Sequence, residues 1–230
     1  MSNKNIIPTG FNVLDEALYG GFHNGSLNII AARPGMGKTT FAMQCAAGMS
    51  KNSDKKIYIM SLEMSAEQVK RKFSDISKIE RIIVDDSAPI TLSQMRKKLM
   101  GIPNVAAVIV DYIQLITANG SVKGDFANLT EDAQELKQLA KDLDVPIICT
   151  SQLSRQVDER EDYRPLLPDI ESLRQNVDVI LSLYREGYYD RTAADSTAEI
   201  AILKNNYGDC NVLSLYWDNY SPKFSESRLY

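Results

Sequence analysis

The chain has 230 residues, enough for one α/β domain with a sizeable core. Apolar residues make up 44% and charged residues 24%, which excludes an intrinsically disordered chain. A formal net charge of −4 excludes a uniform cationic coat for nucleic acid but leaves room for a local basic channel.

From the N-terminus, Met1 to Asn5 shows no signal-peptide core, and no later apolar stretch reaches bilayer length. A soluble, cytoplasmic protein with no membrane partner is expected. Thr9 to Gly21 reads as a short helix with Phe11, Leu14 and Leu18 near one face, ended by Gly20-Gly21. Leu27 to Ala31 is a strand. Lys38 to Met49 is a helix whose buried stripe is Phe41, Cys45 and Met49. Lys56 to Ser61 is a second strand. Ser65 opens a helix with Gln68 as its capping-box partner. Arg81 to Val84 is a short strand, and Thr91 to Met100 a helix capped by Thr91 or Ser93. The wholly apolar Val105 to Val110 fits a central parallel strand buried on both faces. A Gly/Ser/Asn-rich loop from Thr117 to Gly124 precedes a long helix, Leu129 to Leu143, and a buried strand, Pro146 to Thr150. Arg155 to Pro168 reads as a mobile surface loop. Val177 to Tyr184, Glu199 to Leu203 and Val212 to Trp217 are late strands. Strands alternating with helices imply an α/β fold with a mostly parallel central sheet flanked by helices. The consecutive late strands imply antiparallel additions at one edge.

The basic runs Lys70-Arg71-Lys72 and Arg96-Lys97-Lys98 fit solvated helix faces better than a nucleic-acid patch. The three cysteines show no metal-ligand spacing, and Cys45 and Cys149 are expected in the core. With His23 as the single histidine, a histidine metal site or a Ser-His-Asp triad is excluded.

The chemistry concentrates at strand ends. Ala32 to Thr39 reads A-R-P-G-M-G-K-T directly after the first long strand. Gly35 and Gly37 let the backbone curl so that its N–H groups form an anion nest. The following helix aims its positive end at the same point. Arg33, Pro34, Gly35, Met36, Gly37, Lys38, Thr39 and Thr40 are therefore the expected nucleoside triphosphate loop, with Lys38 on the β- and γ-phosphates and Thr39 on Mg²⁺. Asp111 closes the apolar run at a place suited to the same metal, or to a helix cap. Glu63 follows a strand end, where a carboxylate can activate water or serve as a helix N-terminal acid. Gln152, also at a strand end, can sense the γ-phosphate or simply end the strand.

I-P-T-G-F-N-V-L-D (Ile7 to Asp15), the phosphate loop with its unusual leading Ala32, S-L-E-M-S (Ser61 to Ser65), D-Y-I-Q-L-I (Asp111 to Ile116), Leu136 to Arg155 and L-Y-R (Leu183 to Arg185) resemble, in order, the C-terminal ATPase domain of DnaB-type replicative DNA helicases. The resemblance implies a RecA-like P-loop NTPase core, ATP hydrolysis with Mg²⁺, hexameric rings and translocation on single-stranded DNA. It implies Lys38 and Thr39 for phosphate and metal, Asp111 for metal, Glu63 as base and Gln152 as sensor. A primase or helicase loader is the implied partner. The chain is expected to be one ATPase domain over residues 1–230, without the family's N-terminal helical domain.

Two local departures bear on activity. The family's DNA-contacting Arg-Glu-Ser-Gly stretch is absent from Pro168 to Asp178, where Arg174 is the candidate substitute. The family's Lys-Gln-Arg run, which reaches a neighbour's triphosphate, here reads Lys204-Asn205-Asn206. Lys204 is kept, but Asn206 stands at the arginine finger, with Arg185 or Arg191 as possible rescue. A degenerate regulatory or loader ATPase is therefore the alternative to a motor. A recombinase or clock-type relative fits D-Y-I-Q-L-I and S-Q-L-S-R less well.

Overall fold

The structure, a computed structural model, describes residues 5–73, 79–117, 129–190 and 196–227. The glycine-rich loop beyond Thr117 and Arg191 lie outside them.

Two small ribbons flank the main body. Strands β1 (Ile6–Ile7) and β2 (Phe22–His23) pair antiparallel, and β6 (Ile90–Thr91) and β8 (Ile116–Thr117) pair parallel. The main sheet holds β3 (Leu27–Ala32), β4 (Lys56–Ser61), β5 (Ile82–Asp85), β7 (Val105–Asp111), β9 (Ile147–Gln152), β10 (Val179–Tyr184), β11 (Thr197–Asn205), β12 (Val212–Asp218) and β13 (Lys223–Ser225). Its order is β13-β12-β11-β10-β3-β9-β7-β4-β5. From β10 to β5 every pairing is parallel; from β10 outward to β13 every pairing is antiparallel. The expected architecture is thus present, with one refinement. The strand beginning the late series, β10, still lies parallel to β3, so the antiparallel wing starts at β11.

Helices cover both faces. They are α1 (Asn12–Ala17), α2 (Lys38–Lys51), α3 (Ala66–Lys72), α4 (Leu92–Met100), α5 (Leu129–Leu143) and two short ones, α6 (Glu171–Arg174) and α7 (Glu186–Tyr189). Alternate residues of each central strand point to opposite layers. Ile30, Ile109 and Ile148 join the core with Phe41, Cys45 and Met49 of α2, while Ile29, Val108 and Val110 join that with Leu136 and Leu139 of α5. All seven residues of β7 are buried, as expected of a strand covered on both sides.

Helix α1 is shorter than the spacing predicts. The Asp15 carboxylate accepts the Thr9 N–H at 2.6 Å, and Thr9 Oγ1 accepts from Phe11 N–H, so a side-chain turn occupies the first residues. Capping boxes form at Ser65–Gln68 and, of the two candidates, at Thr91–Gln94. The N-terminal segment crosses α2 closely: a Cβ on Gly48 would sit 2.2 Å from the Thr9 carbonyl oxygen, so only glycine fits.

Residues 155–168, expected to be a mobile loop, are tied down at several points. Val157 is fully buried, and Arg155–Glu159 form a 3₁₀ turn. Arg160 pairs with Asp169, and Arg164 pairs with Glu199 at 2.7 Å while stacking 4.4 Å from the Tyr184 ring. Three of the charges that suggest a solvated loop, Asp158, Arg160 and Arg164, are instead held in ion pairs.

Asp132 lies on the buried stripe of α5 with Leu129, Ala133 and Leu136. Burial, with Glu135 and Glu131 adding repulsion, pushes its carboxyl up to about 6. A raised acid destabilises the fold once ionised, so this penalty is absent below the unfolded-state pKa and complete above the folded one. Asp132→Asn is expected to stabilise the protein by about 1 kcal/mol at pH 7 and to flatten the loss of stability between about pH 4 and 6. Urea denaturation across that range checks both.

Candidate nucleotide site

The site forms beyond the carboxyl ends of β3, β9, β7 and β4, which lie side by side. Ligands in open α/β sheets bind at such ends. After β3 the chain turns at Gly35 (φ 82°) and Gly37 (φ 98°), left-handed conformations that glycine adopts without strain. Gly37 is the N-cap of α2, which carries no side-chain cap and no acid in its first turn. The first N–H groups of α2 therefore have no carboxylate competing for them and face an anion position.

Four expected residues meet here. The Lys38 ammonium lies 3.8 Å from Glu63 Oε2 and 3.8 Å from Asp111 Oδ1. It also sits 4.9 Å over the Tyr112 ring. Thr39 Oγ1 donates to Asp111 Oδ2 at 2.8 Å. Asp111 is fully buried, and its other oxygen accepts from Thr150 Oγ1. Glu63 stands at the mouth, its side chain 54% exposed, which leaves room for water beside it. Hydroxyl and carboxylate oxygens are the donor types a hard divalent cation takes, so Thr39 and Asp111 fit Mg²⁺. Among the described residues no cluster of three or more His, Cys, Asp or Glu forms an all-protein metal cage.

Other expected residues sit close by in different roles. The Arg33 guanidinium turns from the loop's mouth to Asp158, with contacts of 3.1, 3.0 and 2.6 Å, and donates to the Leu153 carbonyl at 2.8 Å. Those hydrogen bonds hold the Asp158 carboxyl below its ordinary range. Thr40 lines a groove with Phe11, Gln44 and Phe224 on the flank of α2. Met36 is buried. Gln152 ends β9, and its backbone is held from the side by Gln114: Nε2 donates to the Gln152 carbonyl at 2.9 Å, and Oε1 accepts the Gln152 N–H at 3.3 Å.

Arg185 follows β10 and donates to the Gly35 carbonyl at 2.9 Å. Its guanidinium lies 3.9 Å from the Trp217 ring, and burial lowers its pKa. Arg185, Tyr188, Thr197 and Trp217 line a cavity of about 400 Å³ beside the phosphate loop. A Cβ on Gly35 would lie 2.6 Å from the Tyr188 ring, so the loop and this cavity share a wall.

Lys204 and Asn206 lie at the opposite end of the strands from the site. Asn205 pairs with Val179, the first residue of β10, which neighbours Asn28 near the start of β3. Lys204 Nζ donates to the Arg174 carbonyl at 2.7 Å and the Val177 carbonyl at 2.5 Å. Asn206 Nδ2 donates to Asp178 Oδ1 at 3.2 Å. The Arg174 side chain is 51% exposed and touches Glu171 at 3.3 Å. None of these three reaches the phosphate loop of its own chain.

Cys45 and Cys149 are buried, with thiols pushed up by burial, and Cys210 is exposed. His23 stacks on Tyr207 at 3.7 Å, away from the site. Among the described residues no helix is long and apolar enough to cross a membrane.

Residues 6–81 and 69–226 match the model of the DnaB-like helicase C-terminal domain. The chain belongs to this family. It is 34% identical to the replicative DNA helicase DnaC of Bacillus subtilis (strain 168), over 95% of this chain and 56% of that protein. It is 32% identical to the replicative DNA helicase DnaB of Geobacillus stearothermophilus, with the same coverage of each. The chain thus spans a little over half the length of these relatives. Among solved structures, a DnaB-like replicative helicase, described with its interactions with primase, superposes with a TM-score of 0.83 at 30% identity, covering 97% of this chain and 64% of that one. An ATPase domain solved on its own gives 0.86 at 29% identity, covering 99% and 94%. The RadB recombinase gives 0.67 at 19% identity, covering 97% of this chain and all of that one, and shows the RecA-like fold alone.

Thr150, Gln114, Tyr112, Asp158 and Tyr188 also line or brace the site; motif reading covers Tyr112, Gln114 and Thr150 but gives none of the five a role, and it is strand register that sets Thr150 beside Asp111.

Proposed function

We propose that this chain is the ATP-driven motor domain of a DNA helicase of the replicative type. It binds ATP with Mg²⁺, hydrolyses it, and couples hydrolysis to movement along single-stranded DNA in the cytoplasm. It works as a homo-oligomeric ring, a hexamer by family resemblance, with a primase or helicase loader as partner. The observation that supports this most is the meeting of Lys38, Thr39, Glu63 and Asp111 at adjacent strand ends.

In this reading the backbone of Arg33 to Thr39 cradles the phosphates. Lys38 leaves its long contacts with the two carboxylates for the β- and γ-phosphate oxygens. Thr39 and Asp111 would hold Mg²⁺, and the ion when bound would supply charge neutralisation at the transferring phosphoryl group. Glu63 takes the proton of the attacking water. The cavity beside Gly35 receives the base between Arg185 and the aromatic rings. Gln152, braced by Gln114, reports loss of the γ-phosphate to the segment pinned by Arg33 and Asp158. Arg174 and Lys204, at the far end of the strands, act on DNA or a neighbouring subunit.

Displacement of the labelled strand of a forked DNA, with ATP and Mg²⁺, tests the whole reading. Unwinding that persists in Lys38→Ala would show that this site does not drive it.

A second reading, a nucleotide-binding regulator without motor activity, is favoured by Asn206. Its amide is neutral and already engaged by Asp178, whereas a guanidinium from a neighbour contributes about 10³–10⁵ to phosphoryl-transfer rates. Asn206→Arg is expected to raise ATP turnover at least tenfold in the assembled oligomer. An unchanged rate, with assembly verified by mass, means that no finger is missing.

A further inference from the structure

We propose that Thr150 is a positioning residue for the carboxylate of Asp111, and through it for the divalent cation. The inference rests on the nucleotide reading above and deepens it. Both residues are fully buried. β7 and β9 run parallel in register through Val108–Ile147, Ile109–Ile148 and Val110–Cys149. One step further sets Asp111 beside Thr150. Ile109 and Ile148 belong to the core under α2, and side chains two residues on share their face. Asp111 and Thr150 therefore point together toward the start of α2, where Thr39 waits.

The carboxylate is divided by its donors. Thr150 Oγ1 donates to Oδ1, which also faces Lys38 at 3.8 Å, and Thr39 Oγ1 donates to Oδ2 at 2.8 Å. A carboxylate bound at both oxygens cannot rotate freely. Thr150 thus fixes which oxygen is presented to the Thr39 side, where the cation is to be held. Without the hydroxyl, Oδ1 of the fully buried carboxylate would keep, among the described residues, only a distant ammonium as partner. The carboxylate would then turn toward Lys38, competing with both metal and phosphate. Partners that orient a metal ligand typically change metal affinity by about 10–100-fold.

Thr150→Val keeps the side chain's shape and removes the donor; Thr150→Ser keeps the donor. The test titrates Mn²⁺ into protein with a non-hydrolysable ATP analogue, reading free Mn²⁺ by electron paramagnetic resonance. Thr150→Val is expected to need about tenfold more Mn²⁺ for half-saturation. Its affinity for the metal-free analogue, measured in excess chelator, should be unchanged, and Thr150→Ser should behave as the unaltered protein. A Mn²⁺ midpoint in Thr150→Val within twofold of the unaltered protein overturns the proposal. So does an equal fall in affinity for the metal and for the metal-free analogue, which marks general damage to the site. Failure of the unaltered protein to take up the analogue at any Mn²⁺ concentration would overturn the nucleotide reading itself.

Discussion

Lys38→Ala is expected to lose ATP turnover by a factor of about 10³ or more, with nucleotide binding weakened too far for calorimetry to detect at micromolar protein. The size follows from the local charges. The Lys38 ammonium stands between Glu63 and Asp111 at 3.8 Å from each, and Asp111 has no exposure to water. Removing it leaves two carboxylates facing the phosphates with no cation between them. Like charges brought together in a low-dielectric pocket repel strongly, and a single lost electrostatic donor already costs about 10²–10³ in rate. The fold should survive, because the lysine's contacts are long and its cation–π partner, Tyr112, stays in place. Calorimetric titration with Mg²⁺–ATP and a steady-state phosphate-release assay check the expectation. Turnover within tenfold of the unaltered protein contradicts it.

Glu63→Gln is expected to separate binding from chemistry. Glutamine keeps the size and polarity of the side chain but cannot accept a proton from water. Turnover should fall by about 10²–10⁴, the usual contribution of a positioned general base. The dissociation constant for Mg²⁺–ATP should stay within a few-fold, because Glu63 is half-exposed and only distantly paired with Lys38. Single-turnover hydrolysis beside equilibrium binding distinguishes the two quantities. Retained turnover would assign proton transfer elsewhere; lost binding would make Glu63 a structural support of the loop.

The parallel core is legible from the chain because its strands are extreme in composition. Val105 to Val110 contains no polar residue, and no amphipathic element matches that pattern. The phosphate loop is equally legible, since Gly35 and Gly37 must adopt positive φ and Lys38 and Thr39 must follow directly. Asp111 and Gln152 are legible as candidates because each closes a recognisable strand, and Glu63 because it follows one within two residues. Contacts made across the sheet leave no local trace. Arg33 reads as a phosphate ligand, yet its partner Asp158 is 125 residues away, and nothing near either residue announces the pair. The same distance effect hides the Arg164–Glu199 pair and makes residues 155–168 look mobile when they are pinned. Helix α1 is overestimated for a different reason: Asp15 satisfies the Thr9 amide by folding back, a choice that apolar spacing cannot reveal.

The engagement of Arg33 by Asp158 has an electrostatic consequence for ligand uptake. With that guanidinium neutralised, Lys38 and Arg185 near the loop are matched by Glu63 and Asp111. The cleft is therefore almost electroneutral before anything enters, and a polyanion would find little surplus positive charge to receive it. Gathering uncompensated charge in a poorly hydrated pocket costs several kcal/mol. Nucleotide and divalent ion are accordingly expected to enter as one partly neutralised couple, with uncomplexed nucleotide a feeble competitor for the same cleft.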